Sequence, residues 1–164
     1  FPDIRLLDIK NKPDDPENLF DTTVYLAQDY SGRIATGTST SGWPWKYPGR
    51  LGDSPIIGAG SYADSRYGAC ACTHTGEMTI RAGTARAVVL YLKMGLTLSD
   101  AVYEAVADLA ELKTGFINAV TVHAIDNKGN YKVVGLNPNK EVKYLIWHTD
   151  LKEPQIKEAE IIRT

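Results

Sequence analysis

The strongest periodic signal in the chain runs from Leu98 to Ala110. There Leu98, Ala101, Val102, Ala105, Val106, Leu109 and Ala110 recur at intervals of three and four residues, the spacing of one helical face. Thr97, with Asp100 three residues later, resembles a capping box at the start of that helix. A weaker period over Glu77 to Met94 places Met78, Ala82, Ala85, Val89 and Leu92 on one face and predicts a single helix there. Elsewhere the pattern is that of strands. Thr23 to Gln28 and Arg33 to Thr40 are β-forming runs on either side of Asp29-Tyr30-Ser31-Gly32, which predicts a hairpin with Thr22 and Thr40 at related strand ends. Ile56 to Ala63 and Ala69 to Thr73 read as short strands, after a loop marked by Pro44, Pro48, Gly49, Gly52 and Pro55. Phe116 to Ile125, the turn Asp126-Asn127-Lys128-Gly129 and Tyr131 to Leu136 predict a further hairpin, with Glu141 to His148 as a final strand and a charged, peripheral tail after Leu151. Hairpins with two consecutive helices on one side argue for an α+β fold over a doubly wound parallel sheet.

Residues 1 to 21 read differently. Lys10 to Asn18 is charged and broken by Pro13 and Pro16, so this segment is expected to be an exposed linker, with residues 22 to 164 as the folded region. The chain opens on Phe1 instead of Met, and the sequence is expected to be a processed product or a fragment.

Composition narrows the possibilities further. With 164 residues, 43% hydrophobic and 23% charged, the chain suits one ordinary globular domain with its own core. A formal net charge of −2, with no basic run interleaved with aromatics, argues against nucleic acid or anionic membrane as partners. Cys70 and Cys72 are the two cysteines; two apart on a strand, they point to one face and are expected to be buried structural thiols. No Asn-x-Ser/Thr sequon is present, which favours a periplasmic or cytoplasmic bacterial-type protein over a glycosylated lysosomal one.

Several motifs are set aside. Gly58-Ala59-Gly60-Ser61-Tyr62-Ala63 has the glycines of a dinucleotide fingerprint without a following helix or a surrounding βαβ unit. No Cys, His and carboxylate cluster has metal-ligand spacing, and no Gly-x-Ser-x-Gly elbow occurs. The expectation is chemistry without metal or cofactor. His123 and His148 stand alone on apolar strands and are expected to be satisfied core or surface residues.

What remains is a set of polar residues at strand ends and loops: Asp21-Thr22 at the head of a strand, Thr38-Ser39-Thr40, Gly49-Arg50-Leu51-Gly52-Asp53-Ser54-Pro55, and Thr73-His74-Thr75-Gly76-Glu77. In type and fixed spacing these resemble the N-terminal-nucleophile asparaginase and isoaspartyl peptidase family, and the aspartate before Thr22 resembles its glycosylasparaginase branch. The match covers the family's catalytic β subunit. The resemblance implies an αββα four-layer sandwich, of which this chain supplies mainly the β-subunit half, and an α subunit from the same precursor in an (αβ)2 assembly. It implies autocleavage between Asp21 and Thr22. A free α-amine on Thr22 has a pKa of roughly 7.7–8.0 and accepts the hydroxyl proton near neutrality, so cleavage would equip Thr22 as the nucleophile.

Thr40 is then expected to orient the Thr22 hydroxyl or amine. Arg50 and Asp53 are expected to hold the α-carboxylate and α-ammonium of an aspartyl-type substrate, with Gly76 also at the substrate. The Thr73 hydroxyl and the His74 backbone N–H occupy the family's oxyanion positions. Two residues depart from the pattern: Val24 and His74 stand where glycine is usual. If the turn at His74 needs a positive φ, histidine strains it. The activity implied is hydrolysis of the N4-glycosyl linkage of N-acetylglucosaminyl-asparagine. The alternatives are an L-asparaginase or isoaspartyl dipeptidase with the same mechanism, and an unprocessed, non-catalytic family member.

Overall fold

The computed structural model describes residues 22–44 and 46–164, so Asp21, the Asp21–Thr22 bond and the expected linker lie outside the described residues. The fold is α+β. Strand β1 (Thr23–Gln28) pairs antiparallel with β2 (Ile34–Ser39), as expected for a hairpin. Its turn is held by the Asp29 carboxylate, which accepts from the Ser31 and Arg33 backbone N–H groups at 2.9 Å each, while Gly32 takes a φ of +79°.

The main sheet contains β3 (Ser61–Asp64), β4 (Gly68–His74), β5 (Val120–Asp126), β6 (Tyr131–Leu136) and β9 (Glu160–Ile162), in the order β3-β4-β5-β6-β9. Against one face pack α2 (Thr84–Lys93) and α3 (Leu98–Ala110), and the core between them holds Cys70, Cys72, Val120, Val122, Val134, Met78, Val89 and Leu109. Successive strand residues alternate faces, so Ala69, Ala71 and Thr73 point the other way, where the β1–β2 hairpin packs on β4. Ala69 and Ala71 are fully buried, and their small side chains let the hairpin approach the sheet closely. Both cysteines are free and buried. The hydrogen bond with Cys70, and burial after it, push the Cys72 thiol well up, which makes it an inert core group.

Four expectations are corrected. The helix over Glu77 to Met94 is two helices, α1 (Gly76–Ala82) and α2, because Gly83 takes a left-handed φ of 59° and its N–H closes on the Thr79 carbonyl. The strand over Ile56 to Ala63 begins only at Ser61; Ile56 N–H and Ala59 N–H instead close turns on the Asp53 and Ile56 carbonyls at 2.8 and 3.1 Å. The region after Glu141 holds β7 (Lys143–Ile146) paired with β8 (Gln155–Glu158), followed by β9. The tail is therefore not peripheral: β9 lies parallel to β6, with Gly135 opposite Ile161. Its Glu160 is held by Lys132 Nζ at 2.6 Å and by the Tyr103 hydroxyl of α3 at 2.8 Å. Half of the expected capping box is present at α3: the Asp100 N–H donates to Thr97 Oγ1 at 3.2 Å, while the Asp100 carboxylate accepts the Thr97 hydroxyl at 2.7 Å.

Candidate active site

A cleft of about 220 Å³ opens where β1, β2, β4 and the loop before β3 meet. Thr22, Thr40, Arg50, Asp53, Thr73 and His74 all line it, so six of the positions singled out in the sequence share one cavity. Thr22 stands at the entrance to β1 and Thr40 just past the end of β2; antiparallel pairing of Thr23 with Ser39 brings them together. Their hydroxyl oxygens are 3.0 Å apart. Thr40 Oγ1 also accepts the Gly42 N–H at 2.9 Å, which fixes the hydroxyl that faces Thr22.

Asp53 is buried at the cleft wall and accepts the Thr79 hydroxyl on Oδ2 at 2.6 Å. Burial pushes its pKa up, and the Thr79 hydrogen bond and the nearby Arg50 charge oppose that rise. Gly76 does not line the cleft. It opens α1 behind Asp53, and a β-carbon there would come within 2.8 Å of both the Asp53 nitrogen and Oδ1. Its contribution is to admit Asp53 against the helix.

Arg50 is not paired with Asp53. Its Nε and Nη2 donate to Glu77 Oε1 at 2.9 and 2.6 Å, while Glu77 Oε2 is buried without a hydrogen-bond partner among the described residues. Sequence reasoning missed the roles of Glu77 and Thr79, because both depend on the 50–53 loop reaching α1. The adjacency of Glu77 to Gly76 was the one available signal.

Thr73 and His74 end β4. His74 has a φ of +82°, so the turn does require the conformation that glycine adopts freely and histidine does not. Thr75 pins the next residue: its N–H and hydroxyl both donate to the Ala119 carbonyl, at 3.1 and 2.6 Å. The His74 Nδ1 lies 3.0 Å from Thr73 Oγ1 and 3.4 Å from Thr121 Oγ1. Burial lowers the pKa of this imidazole, and its contact with the Thr73 backbone partly restores it.

His123 is not a satisfied residue. It sits opposite Ala71 on the hairpin-facing side of the sheet, with Nε2 buried and without a hydrogen-bond partner among the described residues. Burial, with the nearby His74, lowers its pKa to about 4. His74 and His123 both line a second, larger groove of about 880 Å³ between β1 and β7, which also reaches Thr22 and Thr73. His148 is a surface residue, its Nδ1 3.6 Å from Asp150 Oδ2.

A family model described as asparaginase matches residues 5–157. A probable isoaspartyl peptidase/L-asparaginase 3 of Arabidopsis thaliana is 32% identical over 136 residues, 83% of this chain and 37% of that protein. The isoaspartyl peptidase of Escherichia coli (strain K12) is 37% identical over 143 residues, covering 87% of this chain and 43% of its own length. A putative N(4)-(beta-N-acetylglucosaminyl)-L-asparaginase of Drosophila grimshawi is 38% identical over 122 residues, 74% of this chain and 30% of that protein. The chain thus spans less than half the length of these curated relatives.

Proposed function

The chain belongs to the asparaginase family, and on that premise we propose that it is the nucleophile-bearing part of an amidohydrolase that cleaves a β-amide bond of an asparagine derivative. The observation that carries the proposal is the 3.0 Å contact between the Thr22 and Thr40 hydroxyls in a cleft that also presents Arg50, Asp53 and Thr73. Hydroxyl, activating neighbour, opposite charges and oxyanion donors in one cavity are the components of acyl transfer.

Cleavage of the Asp21–Thr22 bond would free the Thr22 α-amine as the general base. The amine takes the proton of the Thr22 hydroxyl as Oγ1 attacks the substrate carbonyl, with Thr40 holding Oγ1 in line. The Thr73 hydroxyl and the His74 N–H receive the developing oxyanion, where one such donor is commonly worth about 2.7–4 kcal/mol. Arg50 pairs with the substrate α-carboxylate and Asp53 with its α-ammonium. The leaving group departs with the proton held by the amine, and water then releases aspartate from Thr22.

The substrate read from the Asp21-Thr22 step is N4-(β-N-acetylglucosaminyl)-L-asparagine. A second reading, L-asparagine or an isoaspartyl dipeptide, is favoured by the relatives named for those activities, which align over more of this chain at comparable identity. In either case residues 1–21 are the linker before the nucleophile and residues 22–164 the β-subunit region. The helix layer, the main sheet and the β1–β2 hairpin would then be this chain's share of an αββα sandwich completed by an upstream α subunit, in an (αβ)2 assembly.

Intact mass and N-terminal sequencing of the folded full-length protein, beside a Thr22→Ala variant, test the reading. A new terminus at Thr22 that the variant lacks is the expected result. A wild-type chain that stays whole removes the required α-amine and turns the protein into a non-catalytic family member. Release of aspartate from glycosylasparagine, L-asparagine and a β-aspartyl dipeptide then ranks the substrates.

A further inference from the structure

His74 holds a left-handed backbone conformation, φ +82°, that a non-glycine residue adopts only under strain. Such strain persists where the surroundings over-determine it, and it clusters at sites where geometry serves function. The surroundings here are specific. On one side Thr73 is paired with Thr121 in the β4–β5 ladder; on the other, Thr75 is anchored twice to the Ala119 carbonyl, and Gly76 is wedged against Asp53. A glycine would meet these constraints without strain, so the side chain is what the strained conformation adds. That side chain is an imidazole whose Nδ1 lies 3.0 Å from Thr73 Oγ1 in the wall of the cleft.

A hydroxyl carries one proton, and the direction in which that proton points decides what the oxygen can do for a substrate. If Nδ1 is bare, the Thr73 proton goes to the ring, and the cleft faces an oxygen lone pair, which repels a developing oxyanion. If Nδ1 bears the proton, the ring donates to Thr73 Oγ1 and the Thr73 proton is left for the cleft. Burial keeps this imidazole neutral near pH 7, so a single N–H is present and its position matters.

Resting on the reading of Thr73 as an oxyanion donor, we propose that His74 is a positioning residue for Thr73: its Nδ1–H donates to Thr73 Oγ1 and turns the Thr73 hydroxyl proton into the cleft. With glycine at this position the hydroxyl is a free rotor; with histidine it is a fixed donor. The residue then acts twice, through its backbone N–H on the substrate side and through its ring behind Thr73.

Two measurements on the full-length protein test this. 15N labelling of the imidazoles and NMR of the ring nitrogens, assigned with a His74→Asn variant, report the tautomer directly. A proton on Nδ1 of His74 is expected, and a proton on Nε2 overturns the proposal. In kinetics with glycosylasparagine, L-asparagine and a β-aspartyl dipeptide, His74→Gly is expected to lower kcat about tenfold, less than the hundredfold or more of losing a donor outright. Its KM should stay within about twofold, and its Tm should rise as the strain is relieved. His74→Asn, which tolerates a positive φ and offers a side-chain N–H, should recover most of kcat. A glycine variant as fast as the wild type, or an asparagine variant as slow as the glycine one, overturns the proposal. A wild type that hydrolyses none of the three but carries its proton on Nδ1 overturns the hydrolase reading alone, and the orientation of Thr73 stands.

Discussion

The two faces of β4 are built for opposite purposes. Toward the helices, Cys70 and Cys72 sit among Val89, Val122, Leu109 and other apolar groups, and every side chain there is replaceable by another of its size and polarity. Toward the β1–β2 hairpin lie Thr73 at the cleft and the strand's last residue at positive φ, and across the ladder from Ala71 stands an imidazole nitrogen without a hydrogen-bond partner among the described residues. One strand thus separates a surface that supplies stability from one that gives some of it up. Truncating groups on the helix side should therefore lower Tm and leave catalysis alone, whereas on the hairpin side replacing Thr73 should lower catalysis and replacing the strained His74 should raise Tm.

The sharpest break of this contrast is Thr22→Ala. It should abolish processing and lower turnover by ~10⁴-fold or more, as loss of a nucleophile does, with a Tm close to that of an uncleaved wild-type chain. Aspartate release and a thermal melt check it together. From the helix side, Leu109→Ala should cost about 2–5 kcal/mol of stability, since the side chain is fully buried. Urea unfolding reads the loss, and KM for the same substrate should not change. Gly76→Ala crosses the divide: its β-carbon displaces the Asp53 carboxylate, so KM should rise about tenfold alongside a loss of about 1–3 kcal/mol.

The last effect is set by pH. His123 in the folded protein protonates at about 4, against an unfolded value of 6.5. Between those values the unfolded chain binds the proton and the folded chain does not. Stability from this group is complete above about pH 6.5 and is lost as pH falls toward 4. The loss is about 3 kcal/mol by pH 4. His123→Leu should flatten that part of the stability profile, measured by urea midpoints from pH 7 down to 4.

The parts legible in the sequence were those governed by neighbours along the chain. The β1–β2 hairpin follows from its turn residues, and α3 from an apolar period with its own cap. Gly83 was hidden because a lone glycine inside an amphipathic run is tolerated often enough that the period reads straight through it. Strand β9 was hidden because a charged residue, Glu160, looks peripheral until Lys132 and Tyr103 arrive from distant segments. The cleft's threonines, Arg50 and Asp53 were found by spacing and resemblance. The pairing of Arg50 with Glu77, the Thr79 bond to Asp53 and the isolation of His123 all require tertiary approach, and nothing local announces them.

The return of the chain to β6 closes a ring. Asn137, just past β6, donates and accepts hydrogen bonds with Thr164 at 3.1 and 2.9 Å, so residues 138–159 leave and re-enter the sheet at nearly the same point. Closing a loop grows only slowly more costly with its length, by about 0.6 kcal/mol per doubling. The β7–β8 excursion, which supplies Lys143 and Tyr144 to the groove beside His74, is therefore a detachable module. It can be lengthened, shortened or exchanged to reshape access to the groove while the sheet beneath it stays in register.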